Sequence, residues 1–265
     1  MTVIDDLFER TRSENRAALV GYLPAGFPTV DGSIAAIQAL VEGGVDLVEV
    51  GLPYSDPVMD GPTIQAAAEA ALVNGTRVDD VFRVVEASAA TGAPTVVMTY
   101  WNPVERRGVD RFAADLAAAG GAGLITPDLI PDEGIEWERA SRAHDLDRVY
   151  LVSPSSTDER LAMTADAASG FIYATAVMGV TGQRAQTSSL APELVARLRK
   201  VTDKPVGVGL GVSNGAQAHE IAEFADAVIV GSALVRCLLD QPDEASALAS
   251  LRELAAELRA GVERD

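Results

Sequence analysis

Short apolar runs alternate along the chain with longer stretches in which apolar residues recur every three or four positions. The short runs are rich in Val, Ile and Leu and are typical of buried β-strands, whereas the Ala-rich stretches are typical of amphipathic helices. Eight runs predict strands at Ala18–Leu23, Val45–Val50, Thr95–Tyr100, Gly123–Thr126, Arg148–Val152, Gly170–Ala174, Pro205–Leu210 and Ala227–Val230. The helical pattern is clear at Asp31–Glu42, Thr63–Asn74, Val109–Ala119 and Pro192–Lys200.

Many of the predicted strands are nearly continuous in apolar residues, as expected for a parallel sheet that helices cover on both faces. Eight strand–helix units in 265 residues favour an α/β fold, a (β/α)8 TIM barrel, as a single domain over residues 1–265. An additional amphipathic N-terminal helix, Val3–Arg12, is placed to close the floor of the barrel, and Glu244–Arg259 forms a final helix. A doubly wound open sheet is the alternative topology.

Composition and charge narrow the class of protein. Hydrophobic residues make up 48% of the chain and charged residues 23%, which is ordinary for a globular protein, and the net charge is -18. Such an acidic chain is unsuited to wrapping nucleic acid or an anionic membrane surface, since both need clustered Lys and Arg. The apolar runs fall short of the ~18 residues of a membrane helix, and residues 1–12 lack the apolar core of a signal peptide. We therefore expect a cytoplasmic enzyme or binding protein.

The same composition excludes several chemistries. Cys237 is the single cysteine, so neither a disulfide framework nor a cysteine metal cluster is expected. His144 and His219, the two histidines, fall in predicted helices without a carboxylate pattern around them, so no metal is expected. Lys200 and Lys204, the two lysines, lie toward the amino-terminal face of the barrel. Because a Schiff-base mechanism needs a lysine in the pocket, acid–base chemistry on carboxylates remains.

Glu49 is the first candidate catalytic residue. Alternation along the second strand places it on one face with Val45 and Leu47. Val48 and Val50 occupy the other face, which should meet the helices. Glu49 should therefore point into the barrel near its carboxyl-terminal mouth, where the active sites of such barrels lie. Partial desolvation there raises the pKa of a carboxyl group and suits it to acid–base catalysis. A structural ion pair with an arginine is the alternative role.

Long loops and late glycines supply the other candidates. The loop after strand 2 contains Asp60, directly before Gly61-Pro62 and a helix, so capping and catalysis are its two alternative roles. Glycines follow strands 7 and 8, at Gly209-Leu210-Gly211 and at Gly231-Ser232. Backbone N–H groups beside a helix start can hold an anion, and barrels commonly bind phosphate at these two loops. Simple turn glycines are the alternative.

One segment closely resembles the signature of a known family. Residues 48–62, VEVGLPYSDPVMDGP, resemble the signature segment of the tryptophan synthase alpha subunit. The resemblance extends in order over nearly the whole chain, through Tyr100-Trp101-Asn102-Pro103, Pro127-Asp128-Leu129, Tyr173, Gly179-Val180-Thr181-Gly182, Gly209-Leu210-Gly211 and Gly231-Ser232. It implies a (β/α)8 barrel that takes a small sugar-phosphate substrate, indole-3-glycerol phosphate, and cleaves it to indole and glyceraldehyde 3-phosphate in tryptophan biosynthesis.

The resemblance also implies roles for individual residues. Glu49 matches the catalytic acid–base and Asp60 the second catalytic carboxylate, with Tyr173 as an auxiliary aromatic residue that lines the site. The matched phosphate-binding positions are Gly182, Gly211, Gly231 and Ser232. The matched indole pocket, for which plain barrel core is the alternative, consists of Tyr22, Ile64, Met98, Tyr100, Ile125, Leu151, Thr181 and Leu210. Tyr22 and Leu210 stand where many bacterial members carry Phe, so the pocket is expected to be reshaped.

The family implies a partner as well. Its alpha subunit docks on a beta subunit that carries pyridoxal phosphate, in an α2β2 complex, so no cofactor is expected on this chain. The matched docking surface consists of Asp56, Pro57, Asn102, Pro103 and Asp128. The alternatives are a stand-alone lyase that releases free indole, a related phosphate-binding barrel isomerase, and a barrel whose main role is allosteric activation of its partner. Retention of both Glu49 and Asp60 argues against the last, since a pure activator needs neither.

Overall fold

The eight strands of the chain close into a parallel barrel. A computed structural model describes residues 1–175, 190–209 and 211–264. The strands pair in chain order and the eighth returns to the first, so the sheet has no free edge. They are β1 Ala18–Pro24, β2 Leu47–Gly51, β3 Thr95–Met98, β4 Gly123–Thr126, β5 Asp147–Val152, β6 Ile172–Thr175, β7 Val206–Gly209 and β8 Ala227–Val230. The predicted (β/α)8 barrel is confirmed.

Helices surround the barrel, and their starts follow local sequence signals. The helices described are α1 Val3–Ser13, α2 Val30–Glu42, α3 Pro62–Val73, α4 Val78–Ala89, α5 Trp101–Arg107, α6 Val109–Ala118, α7 Ile135–Ala143, α8 Asp158–Ala167, α9 Leu190–Leu198, α10 Gly215–Ala222, α11 Ser232–Leu239 and α12 Glu244–Gly261. A 3-10 turn at Pro131–Glu133 precedes α7. Thr2 and Asp5 form a reciprocal capping box at the start of α1. Among these described helices, none is long and apolar enough to cross a membrane.

Strand side chains alternate between two core clusters, one inside the barrel and one between the barrel and the helices. On β2, Leu47 belongs to the inner cluster, whereas Val48 and Val50 belong to the outer one. This alternation turns Glu49 inward, as the sequence predicts. Val45, expected on the inner side, belongs to the outer cluster. It precedes the first residue of β2, so the alternation of the strand does not extend to it.

Helix α1 closes the amino-terminal end of the barrel. Its side chains Ile4, Leu7 and Phe8 belong to the inner cluster, and the ring of Phe8 lies 5.8 Å from that of Phe171. Because this end of the barrel is closed by apolar side chains, a polar site is expected at the carboxyl-terminal end. The polar side chains predicted to form the site should therefore meet where the strands end, at their carboxyl termini.

Candidate active site

Glu49 lies inside the barrel with its side chain almost fully out of water. The residue is 1% exposed, and no hydrogen-bond partner for Oε2 is found in the part of the chain that the structure describes. Burial raises the pKa of Glu49 to about 8, and the charge of nearby Asp60 adds to the shift. At neutral pH this carboxyl group is therefore mostly protonated and can donate a proton. The alternative role, an ion pair with an arginine, would have supplied Oε2 with a donor.

Asp60 lies in the loop between β2 and α3, where a tyrosine hydroxyl holds it. Tyr100 donates from Oη to Asp60 Oδ1 at 3.0 Å and accepts the backbone N–H of Met59, also at 3.0 Å. Burial raises the pKa of Asp60, and the hydrogen bond from Tyr100 opposes that rise. Gly61, rather than Asp60, is the N-cap residue of α3. The side chain of Asp60 is therefore held by Tyr100 and does not occupy the N-cap position of α3.

Two tyrosines flank Glu49, and each needs a glycine beside it. Tyr22 on β1 pairs in register with Glu49. A Cβ atom at Gly51 would lie 2.3 Å from the hydroxyl of Tyr22, and one at Gly209 would lie 2.4 Å from that of Tyr173. Burial raises the pKa of both hydroxyls, with the charges of Asp60 and Glu49 adding for Tyr22 and that of Glu49 for Tyr173. Both tyrosines therefore stay neutral and can serve as hydrogen-bond donors.

Three of the described residues of the predicted indole pocket lie in or against the inner cluster of the barrel. Ile125 is buried within the inner cluster, and Met98 and Leu151 are half-buried and pack against it together with Tyr173. Ile64, on α3, belongs to the outer cluster instead. Two further members, Thr181 and Leu210, lie outside the described residues. The apolar side chains thus line a space directly next to the carboxyl groups.

The two predicted phosphate loops are neighbours, because Gly209 on β7 pairs with Ile229 on β8. Gly231 is the N-cap residue of α11, Ser232 begins the helix, and the first turn holds no acidic residue. Gly211 has a φ of 71°, a left-handed conformation that glycine adopts without strain. With no acidic residue in its first turn, the start of α11 favours an anion. The fourth predicted position, Gly182, lies outside the described residues.

The predicted docking residues lie after β2, β3 and β4, at the same end of the barrel: Asp56, Pro57 and Asp128 in loops, and Asn102 and Pro103 in the first turn of α5. Asp128 accepts the backbone N–H of Trp101 with both carboxylate oxygens, at 2.9 and 3.1 Å, and so caps α5. Asn102 donates to the hydroxyl of Tyr54 at 2.9 Å. The surface is exposed at Asp56, Asn102 and Asp128, and half-buried at Pro57 and Pro103.

Sequence reasoning missed two features of this site. The pairing of Gly51 with Tyr22 and of Gly209 with Tyr173 was not expected, although a glycine at a strand end beside an inward tyrosine is a usable signal. Tyr54 was not singled out either, yet its ring lies 5.3 Å from that of Tyr100.

As for metals, no group of three or more His, Cys, Asp or Glu side chains in the described ranges could hold an ion.

A TIM barrel with one buried and one half-buried carboxyl group at the carboxyl-terminal end of its strands is suited to acid–base catalysis on a small substrate. A family model described as tryptophan synthase alpha chain matches residues 8–263. The chain belongs to the tryptophan synthase alpha chain family. It is accordingly a lyase of tryptophan biosynthesis.

Relatives and solved structures agree with this assignment. The tryptophan synthase alpha chain of Salinispora arenicola is 65% identical over 262 residues, which cover 99% of this chain and 98% of the relative. The alpha chain of Mycobacterium tuberculosis is 60% identical over 256 residues, or 97% and 93% of the two chains. A structure of M. tuberculosis tryptophan synthase superposes with a TM-score of 0.93 at 59% identity, covering 99% of this chain and 98% of that chain.

Proposed function

We propose that this chain cleaves indole-3-glycerol phosphate to indole and glyceraldehyde 3-phosphate, with Glu49 and Asp60 as the catalytic pair. The observation that carries the proposal is the difference between the two carboxyl groups. Glu49 is fully buried, with a pKa of about 8, whereas Asp60 accepts a hydrogen bond from Tyr100 that opposes the rise in pKa caused by its burial. Two carboxyl groups with different protonation states allow one to give a proton while the other receives one.

The proposed steps use these two states in turn. Protonated Glu49 gives its proton to C3 of the indole ring, while ionised Asp60 stabilises the ring nitrogen and accepts the N–H proton. The resulting Glu49 carboxylate then takes the proton of the glycerol hydroxyl. As the carbonyl of glyceraldehyde 3-phosphate forms, the bond to C3 breaks, its electron pair returns to the ring, and Asp60 returns the proton to nitrogen. Tyr173 is an auxiliary residue that keeps the Glu49 side of the site dry.

Substrate binding is proposed at two places in the mouth of the barrel. The apolar pocket at Tyr22, Met98, Ile125 and Leu151 takes the indole ring, and the backbone N–H groups at Gly211, Gly231 and Ser232 hold the phosphate. Neutral donors at a helix start explain how a chain with a net charge of -18 can bind an anion. The sequence resemblance adds Gly182 to the phosphate site and Ile64, Tyr100, Thr181 and Leu210 to the pocket.

The partner proposed for this chain is a tryptophan synthase beta subunit, in an α2β2 complex that works in the cytoplasm. Supporting this proposal, the M. tuberculosis structures that cover 99% of this chain are described as tryptophan synthase, one of them in an aminoacrylate-bound form. Pyridoxal phosphate is assigned to the beta subunit. In this chain, Lys204 Nζ donates to three backbone carbonyls around the end of α8, far from the site, so it is not a Schiff-base lysine.

Indole release from indole-3-glycerol phosphate tests the catalytic proposal, with the chain alone and after addition of a cognate beta subunit. We expect slow turnover alone and strong acceleration with the partner. Glu49→Gln should abolish cleavage in both conditions but leave activation of the beta subunit largely intact. Fast turnover of the chain alone would favour a stand-alone lyase. No indole in either condition would remove the lyase proposal, and loss of both functions in Glu49→Gln would give that residue a different role.

Gly211→Asp tests the phosphate site, because it places a negative charge against the bound anion. We expect a steep rise in KM with kcat less affected. Gly92→Asp is the matched control, since Gly92 also has a positive φ, of 90°, and a Cβ there meets nothing within 4 Å. Gly92 lies before β3, at the opposite end of the barrel, so its KM should equal that of the wild type. An unchanged KM in Gly211→Asp would place the phosphate elsewhere.

A further inference from the structure

The loop that carries Asp60 is tied to the beginning of α5 at two points. One tie is the hydroxyl of Tyr100, which binds both the Met59 N–H and the Asp60 carboxylate. The other is a hydrogen bond of 2.9 Å from Asn102 Nδ2 to the hydroxyl of Tyr54. Between these ties the rings of Tyr54 and Tyr100 pack with centroids 5.3 Å apart and planes inclined by 34°. The two tyrosines therefore form one packed unit across the loop and the helix start.

We propose that Tyr54 is a positioning residue for Asp60, which it holds in place through the ring of Tyr100. This inference rests on the proposed catalytic role of Asp60. Tyr54 itself makes no hydrogen bond to that carboxylate in the described structure; its hydroxyl accepts from Asn102. Its contribution is the orientation of the tyrosine that does donate to Asp60.

The backbone of Tyr100 is fixed, so the direction of its hydroxyl depends on the ring. Tyr100 is the N-cap residue of α5, and the following N–H, of Trp101, is held by Asp128. With this end anchored, the remaining freedom lies in rotation of the side chain. Tyr54 packs against the ring and limits that rotation. Offset and tilted aromatic pairs of this kind contribute beyond the area that they bury.

Tyr54 also separates the Tyr100–Asp60 hydrogen bond from water. Tyr100 is 5% exposed, Tyr54 is half-buried and Asn102 is exposed, so exposure to water increases along these three side chains from the site to the surface. A hydrogen bond to a carboxylate is stronger where water is excluded. Loss of the Tyr54 ring should therefore allow the Tyr100 ring to rotate more freely, and it should also expose the hydrogen bond from Tyr100 to Asp60 to water.

Four variants of the full chain separate the ring from its hydroxyl: Tyr54→Phe, Tyr54→Ala, Asn102→Ala and the double variant Tyr54→Phe with Asn102→Ala. Each is compared in two assays. One is 13C NMR titration of the Asp60 carboxyl in the ligand-free chain, and the other is indole release by the chain without partner, resolved into kcat and KM. Tyr100→Phe, which removes the donor directly, gives the full effect on Asp60.

We expect Tyr54→Ala to raise the pKa of Asp60 toward the value in Tyr100→Phe, because the bond from Tyr100 opposes the rise caused by burial. Its kcat should fall about tenfold, the upper range for an aromatic pair, with little change in KM, since the phosphate loops are untouched. Tyr54→Phe and Asn102→Ala should each lower kcat by about threefold, and the double variant should be no worse, because both remove the same hydrogen bond.

The matched control is Tyr150→Phe, which removes a hydroxyl from the outer core cluster on β5 and should change neither measurement. If the Asp60 pKa in Tyr54→Ala equals that of the wild type, the positioning role is overturned, whatever happens to kcat. If the pKa of Asp60 rises while kcat stays constant in both Tyr54→Ala and Tyr100→Phe, Tyr54 positions Asp60 as inferred, and the catalytic role of Asp60 is what fails.

Discussion

The raised pKa of Glu49 links the stability of the chain to pH, and Glu49→Gln should remove that link. Glu49 has a pKa of about 8 in the folded chain, against 4.5 as its ordinary value. Between these values the folded protein keeps a proton that the unfolded chain has released. The free energy of unfolding therefore falls as pH rises, by about 1.4 kcal/mol per pH unit. The full loss is about 5 kcal/mol and is complete once the pH has risen through the folded pKa.

Urea denaturation of the wild type and of Glu49→Gln, between about pH 5 and pH 8, measures this effect. Glutamine keeps the size of the side chain and does not titrate, so its stability relative to the wild type should increase by about 1.4 kcal/mol per pH unit. Glu69→Gln, on the exposed face of α3, controls for the loss of one negative charge. A difference between Glu49→Gln and wild type that stays constant over this range would refute a protonated Glu49, and with it the proposed first proton transfer.

Three other changes test contacts that the Glu49 side chain does not itself make. Lys204→Met removes the ammonium group that binds three backbone carbonyls and should lower the free energy of unfolding by about 1–3 kcal/mol; equal stability in urea would contradict this. Asp46→Ala removes the carboxylate that buried Arg16 meets at 2.6 and 2.8 Å, while Glu14 still accepts from Arg16 Nε at 2.6 Å; we expect a cost of about 1.5–3 kcal/mol in the same assay. Gly209→Ala pushes a Cβ against Tyr173 and should lower kcat/KM about tenfold; unchanged kinetics would show that the ring moves freely.

The fold was predictable because most of its information is local. Continuous apolar runs and three- to four-residue spacing identify the elements, and the bounds of β4 and β8 agree with the prediction at both ends. Two kinds of error occur at the strand ends: β1, β5 and β6 extend one residue past the prediction, and elsewhere the sequence pattern outlasts the hydrogen-bonded ladder. Thr99 and Tyr100 continue the β-branched and aromatic character of β3, yet the strand ends at Met98. The chain then turns into α5, whose start depends on Asp128 from another loop.

The role of the Asp60 side chain was not decidable from its own surroundings in the sequence. A preceding loop and a following Gly-Pro suit capping as well as catalysis, and the resemblance to a known family, rather than the pattern, favoured catalysis. What separates the two roles physically is the hydrogen bond from Tyr100, a residue 40 positions later in the chain that β3 brings to the same end of the barrel. A contact between residues so far apart in the chain forms only because the sheet closes, and no local sequence pattern predicts it.

For Glu49, the direction of the side chain can be predicted from the sequence, whereas the size of its pKa shift cannot. Period-two alternation predicts its inward direction, because that depends only on the backbone of β2. The size of its pKa shift depends first on burial among side chains of the neighbouring strands, Tyr22 and Tyr173 among them, and then on the charge of Asp60. Tyr22 and Tyr173 can stand there only because Gly51 and Gly209 leave room for their hydroxyls. The change in the free energy of unfolding with pH therefore reports on all the groups that surround Glu49 in the folded barrel. A substitution at Gly51 or Gly209 that displaces either tyrosine ring should admit water and so lower the pKa of Glu49.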